Sequence, residues 1–422
     1  MHTRTITYFI LTLAPAIAMA GDWPDYRGPT HDGKSPAAEV PLTWSETENV
    51  RWKTPIHDLG LSSPIVLGKQ VWLTTATADG TDMFVICVDR ETGEVLHDSV
   101  LFHNDRPRPL GNKVNTYATP SPVGEPGRVY VHFGSYGTAC IDTETFKVIW
   151  QRRDLPCDHW RGPASSPALH ENSLVLTFDG ANVQYVAALD TRTGDTRWVT
   201  FRSGDFDDLD EEGRPRAGGD MRKSYATATV IKHDDRLQVI SPAARGTYSY
   251  DLETGKELWR IQHASHSSGA RTIFSDNLAI TFSGINPTES AAIRLDGKGD
   301  VTATHIAWTN RRGVPSRSSP ILLGDRLYMA TEQGVLTCFD IGLQKTIWQE
   351  RLGSSFTASL VHAADRIYLF DEAGTTHVVR PGDTFQRLAT NKLTGGLMAS
   401  PAIAGQAIYL RTRTHLYRVE NE

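Results

Sequence analysis

The stretch ACIDTETFKVIW (139–150) decides the fold, because the chain says nearly the same thing again as AALDTRTGDTRW (187–198), YSYDLETGKELW (248–259) and TCFDIGLQKTIW (337–348). In each, an aspartate precedes a tryptophan by eight residues: Asp142 and Trp150, Asp190 and Trp198, Asp251 and Trp259, Asp340 and Trp348. A fifth version, Asn49-Val50-Arg51-Trp52, lies near the start. A β-rich unit repeated every ~40–60 residues means a propeller or a solenoid.

Working outward, each repeat opens on a small-residue cluster, often Ser-Pro, followed by an apolar strand. A second strand follows, such as QVWLTT (70–75) or RVYVHF (128–133), and a third ends on the aspartate. The last turn carries Thr92-Gly93, Thr193-Gly194 or Thr254-Gly255, where glycine supplies the positive φ of a tight turn. Four antiparallel strands per repeat make a propeller blade. The register predicts an all-β, eight-bladed β-propeller. Its blades start near Ser62, Thr119, Ala164, Ser224, Ser267, Arg317, Thr357 and Leu397.

The eighth repeat has only three strands, and Asn49–Trp52 matches its missing outer strand. The N-terminal segment is therefore expected to pair with the last blade and close the ring, removing open sheet edges. The domain reading is a signal peptide at 1–20, an N-terminal extension at 21–48 and one propeller over 49–422, with an insertion loop at 203–223. One tryptophan per blade is expected on the outer strand, as packing between blades rather than as a ligand platform.

The chain has 422 residues, 39% hydrophobic and 22% charged, and a net charge of −6. That composition is ordinary for a globular protein. The charge gives no drive toward nucleic acid or an anionic membrane. Residues 6–17 are apolar, and Ala18-Met19-Ala20 reads as a cleavage site. The run is too short and too interrupted for a membrane anchor. A periplasmic or secreted, monomeric protein is expected. Cys87, Cys140 and Cys338 share one inward strand slot two residues before the repeat aspartate, which predicts buried thiols too far apart for disulfides; Cys157 falls in a loop.

SSPIVLGKQVWLTTATADG (62–80) with FVICVDRETGEV (84–95), and SPILLGDRLYMATEQGVLTCFDIGLQKTIW (319–348), resemble the repeats of the pyrroloquinoline-quinone-like propellers. DWPDYRGPTHDGKSP (22–36) and YLRTRTHLYRVE (409–420) look like a secreted bacterial subgroup of that family. The resemblance implies the propeller fold. It also implies either a quinone-dependent dehydrogenase or an outer-membrane assembly propeller. The dehydrogenases carry adjacent cysteines against the quinone and a Glu/Asn/Asp set for Ca²⁺. This chain has no Cys-Cys pair and no matching calcium set, which argues against pyrroloquinoline quinone with Ca²⁺. No lipidated cysteine follows residue 20.

In a propeller, the segments before each innermost strand gather at one mouth of the central channel. Here they are HDLGLSS (57–63), NKVNTYATPS (112–121), DHWRGPASS (158–166), GDMRKSYAT (219–227), SHSSGAR (265–271), GVPSRSS (313–319), GSSFTAS (353–359) and GGLMAS (395–400). They supply Lys113, Arg161, Arg222, Lys223, Arg271 and Arg317. Convergent guanidinium groups suit carboxylate, sulfate or phosphate. Trp160 and other aromatics among them suit a sugar face. The expected ligand site is Lys113, Trp160, Arg161, Arg222, Arg271 and Arg317, taking an anionic small molecule or acidic saccharide; the competing reading pairs these arginines with loop carboxylates and carbonyls.

A binding or interaction module, with protein partners open, is favoured over an enzyme. The enzyme alternative is lyase-like, with His159 or His266 near Tyr117 or Tyr225 as acid–base groups. No zinc pattern, phosphate-binding glycine loop or serine nucleophile motif is present. DFDDLDEE (205–212) does not keep EF-hand spacing, so no metal site is expected and 203–223 reads as a solvated or lid-like loop.

Overall fold

The computed structural model describes residues 21–111 and 114–422. The signal segment and Lys113 lie outside the described residues. Eight antiparallel sheets are present, and seven have four strands. Blade 2 runs Val123–Glu125, Arg128–His132, Thr138–Asp142 and Val148–Arg152, and the other blades follow the same order. The strand Val50–Pro55 pairs antiparallel with His415–Val419, so the N-terminal segment completes blade 8. Blade 4 departs from the expectation of four strands: Gly299–Asp300, from blade 5, adds a fifth, parallel strand beside Glu257–Gln262.

The repeat aspartate shapes a turn. Asp142 Oδ1 accepts from the backbone N–H of Glu144 and Thr145 at 3.0 and 2.7 Å, and Asp89 and Asp190 do the same. Such Asx turns fix the hairpin locally. The tryptophan eight residues on then docks on the equivalent turn of the following blade. The indole N–H groups of Trp52, Trp150 and Trp198 donate to the carbonyls of Arg90, Thr191 and Leu252 at 3.0, 2.9 and 2.8 Å. A Cβ on Gly93, Gly194 or Gly255 would meet that indole at 2.8, 2.7 or 2.5 Å. Glycine is therefore required twice, for its φ near +75° and for the room it leaves. Asp, Gly and Trp thus form one device that fastens blade 8 to blade 1, blade 2 to blade 3 and blade 3 to blade 4.

The expectation of one tryptophan per blade needs correction. Trp308 fills the slot in blade 5 without the eight-residue spacing, opposite Ala292. In blade 1 the slot holds His97, which stacks on Phe146 of blade 2 at 4.9 Å. In blade 7 it holds Ala389. All four cysteines are free, with Cys87, Cys140 and Cys338 buried. The polar insertion is pinned rather than loose: buried Asp208 accepts from Arg222 at 2.6 Å, and Asp210 caps its own turn through the Arg214 N–H at 2.8 Å. Among the described residues no helix is long and apolar enough to cross a membrane.

Candidate functional site

The predicted segments do meet at one mouth. Each ends on a residue at the same register position: Ser63, Ser121, Ser166, Thr227, Arg271, Ser319, Ser359 and Ser400. These form a hydrogen-bonded circle. The N–H of Ser63 donates to Ser121 Oγ at 2.8 Å, Ser121 to Ser166 at 2.9 Å, and Ser166 to Thr227 Oγ1 at 2.9 Å. On the other side Arg271 N–H donates to Ser319 Oγ at 3.0 Å, Ser319 to Ser359 at 3.1 Å, Ser359 to Ser400 at 2.9 Å and Ser400 back to Ser63 at 3.0 Å. The link from Thr227 to blade 5 is missing because arginine has no hydroxyl to accept it. Each hydroxyl uses its oxygen in the circle, and none donates its hydrogen to a protein acceptor among the described residues. All seven hydroxyl residues line a central cavity of about 390 Å³.

The floor of this cavity comes from the N-terminal extension, to which the repeat pattern assigns no role. Trp23 pairs with Val66 of blade 1 through two bonds of 2.9 Å, and Pro24 accepts from Gly124 of blade 2 at 2.9 Å. Asp25 then bonds Arg271 Nη1 at 2.7 and 2.9 Å. Arg27, buried, donates to the carbonyls of Pro320 and Leu360 in blades 6 and 7. Gly33 and Ser35 pair with His362 of blade 7. The segment therefore spans the channel from blade 1 to blade 7. Tyr26, between Asp25 and Arg27, lines the cavity.

The arginines behave differently from one another. Arg271, expected at the ligand site, occupies a circle position but does not line the cavity. Its side chain is 2% exposed and points to Asp25 and Thr229 Oγ1. Burial alone would raise the Asp25 carboxyl, but the Arg271 charge and His31 hold it well below the usual carboxylate range. Arg222 sits in the insertion against Asp208, away from the cavity lining. Arg161 lines the cavity, with Nε and Nη2 on Asp220 at 2.7 and 2.8 Å. Lys223 bonds the same carboxylate, and both cations lie over the Trp160 ring, at 4.4 Å for Lys223 and 4.7 Å for Arg161. Arg317 lines the cavity, 41% exposed and 4.0 Å from Glu372. Loop carboxylates thus engage Arg222 and Arg271 fully, Arg161 on one edge, and Arg317 weakly.

The acid–base candidates are also separated. His266 and Tyr225 line the cavity; His266 Nδ1 is 2.9 Å from Ser267 Oγ, and burial lowers its imidazole below the ordinary value. His159 is half-buried and lines a void of about 10 Å³ with His132 and Tyr225. Burial pushes His159 down to about 4, and its Nε2 and the Tyr225 hydroxyl have no partner. That void is about the size of one water. Tyr117 is 2% exposed in the core between blades 1 and 2, its hydroxyl donating to the Arg108 carbonyl at 2.6 Å. Among the described residues, no group of three or more His, Cys, Asp or Glu side chains is placed to hold a metal ion.

A family model described as the outer membrane protein assembly factor BamB matches residues 222–383. No curated protein matches the sequence. Solved structures do. A europium-containing methanol dehydrogenase superposes with a TM-score of 0.65 at 12% identity, over 92% of this chain and 89% of that one. The quinohemoprotein alcohol dehydrogenase from Comamonas testosteroni gives 0.66 at 12% identity, over 97% and 82%. BamB from Moraxella catarrhalis gives 0.57 at 12% identity, over 87% and 99%. At such identities the likeness is one of fold. The chain is a β-propeller, and its residues 222–383 are similar to that family model.

Proposed function

We propose that this propeller is an extracytoplasmic, monomeric binding module whose central cavity takes an anionic small molecule or acidic saccharide. The observation that carries the reading is the donor content of the wall. Seven hydroxyl groups, each with its hydrogen still to donate, line the cavity with Arg317 and the free edge of Arg161, against the Asp220 carboxylate. Such a wall favours a ligand rich in acceptors. Tyr26 and Tyr225 add aromatic surface, and about 390 Å³ is within the range of small-molecule sites. Ring closure within one chain supports a monomer. The short apolar leader supports export.

The dehydrogenase likeness implies a quinone, and the residues do not fit one. Pyrroloquinoline quinone carries three carboxylates. Arg317 and one edge of Arg161 are too few cations for three carboxylates, and no group of three or more His, Cys, Asp or Glu stands ready for a divalent ion among the described residues. No step through that group is derived.

The test is thermal melting with oligogalacturonate and with its neutral galactose counterpart. The acidic oligomer is expected to raise the melting temperature more than the neutral one, and Arg317→Glu to remove the difference. No shift with either sugar overturns the reading. Accumulation of unsaturated product replaces a binder with a lyase that uses His266 or Tyr225.

A further inference from the structure

Trp259 breaks the docking rule kept by the other repeat tryptophans. Trp52, Trp150, Trp198 and Trp348 each donate the indole N–H to a carbonyl of the following blade at 2.8–3.0 Å. Trp259 is 0% exposed, and its Nε1 has no partner. The carbonyl it would use can be identified by register. Arg90, Thr191 and Leu252 each donate their own N–H back to their blade's second-strand hairpin, and Leu295 does so in blade 5. The Leu295 carbonyl faces Gln238 Nε2 at 3.5 Å instead. Blade 5 also has a wider turn, Leu295–Asp300, which continues into the parallel strand beside Trp259.

The displaced turn leaves a cleft of about 230 Å³ between blades 4 and 5, lined by Trp259, His233, Arg236, Lys298, Leu258 and Leu295 among others. It lies among the turns joining first to second and third to fourth strands. Antiparallel blades place it at the end opposite the central cavity. His233 Nε2 is a second buried nitrogen without a hydrogen bond, 3.5 Å from Asp234. Lys298 makes no ion pair among the described residues. Asp234 and Asp296 line the cleft beside Arg236 and Lys298, at 86% and 65% exposed with Arg236 at 57%, so its exposed charges balance, and the buried donor left without a partner is the Trp259 indole. A buried donor left unmet is costly; Trp23 and Trp44 also bury an unmet indole N–H, but of these three only Trp259 lines a cleft.

We propose that the cleft between blades 4 and 5 binds a carboxylate group, with Trp259 Nε1 as the donor at its base and Lys298 as the charge at its rim. The occupant is a free small carboxylate or the C-terminal carboxylate of a peptide. Neither is needed for the central-cavity reading, which stands or falls separately.

The experiment follows indole N–H resonances of the ¹⁵N-labelled full chain at constant ionic strength, with Trp259 identified by its loss in Trp259→Phe. Acetate is expected to move that resonance saturably. Lys298→Gln, an exposed change that leaves the fold intact, is expected to weaken binding about ten-fold. A short peptide with a free C-terminus binding more tightly than acetate identifies a chain terminus as the source; equal binding identifies a free carboxylate. The same peptide amidated must not bind. A Trp259 resonance unmoved by acetate and peptide, or one moved equally by the amidated peptide, overturns the proposal. So does slow exchange with a long-lived water, which would mean that solvent satisfies the indole.

Discussion

Arg271 Nη1 lies 2.7 Å from Asp25 Oδ1, which ties the one circle position without a hydroxyl to the segment that crosses the channel floor. Both side chains are 2% exposed, and 246 residues separate them in the chain. Breaking a buried pair on one side strands the other charge, at a cost of about 3–5 kcal/mol, whereas removing both is much milder. Asp25→Ala should therefore lower the denaturant midpoint severely. Arg271→Ser with Asp25→Asn should recover most of it, since the new hydroxyl would offer the Thr227 N–H its missing acceptor. A double variant whose loss equals the sum of the Asp25→Asn and Arg271→Ser losses would mean that the pair has no coupling.

Gly194 has a φ of +76° and leaves the Trp150 indole 2.7 Å from where a Cβ would stand. Gly194→Ala meets both obstacles, and a loss of about 1–3 kcal/mol is expected. Gly127, also at positive φ but with nothing within 4 Å, is the control. Its alanine variant should lose only the conformational part, about 1 kcal/mol. Equal losses at the two sites would remove the docking contribution and leave turn geometry alone.

Three histidines, His132 buried and His159 and His263 half-buried, give the protein an acid-sensitive side. Burial pushes His159 and His263 down to about 4, and burial with the neighbouring His159 takes His132 to about 3. The unfolded chain takes up these protons near pH 6.5, while the folded chain resists until pH 4 or below. Stability is therefore full above the unfolded value and falls as pH drops from about 6.5 toward 4, by roughly 1–3 kcal/mol for each histidine. The apparent melting temperature should fall across that window, and His159→Gln should flatten the slope. A flat profile in the parent would rule out this coupling.

The fold was legible because its information is periodic. Asp-x7-Trp set the blade register, and a three-strand last repeat with Trp52 upstream pointed to closure. Departures sit where the period lapses. Trp308 lacks the spacing, and His97 and Ala389 replace the tryptophan altogether. The site was legible in place but not in charge state. Segments 57–63 through 395–400 met as expected, but Arg271, read as one of the convergent cations, is the circle position without a hydroxyl. Its partner, Asp25, stands in the non-repeating extension, and Asp208, the partner of Arg222, stands in the insertion. No periodic argument reaches either. The hydroxyl circle was hidden for a different reason: serine at a strand start reads as a small residue, and only register across blades shows it as an acceptor.

Pairing of Val50–Pro55 with His415–Val419 also sets an order of events. The strand that seals blade 8 is made before blade 1, and its partner only after blade 7. Until the ribosome has passed residue 415, the early strand has no mate and the floor segment 22–37 has no blades 5 to 7 to rest on. The floor is therefore complete once blade 7 is in place, and sealing waits for the last strand of blade 8. A stalled product that lacks the final hairpin would hold seven near-native blades around an open shaft. Quality control would meet it as an exposed sheet edge rather than as an unfolded chain.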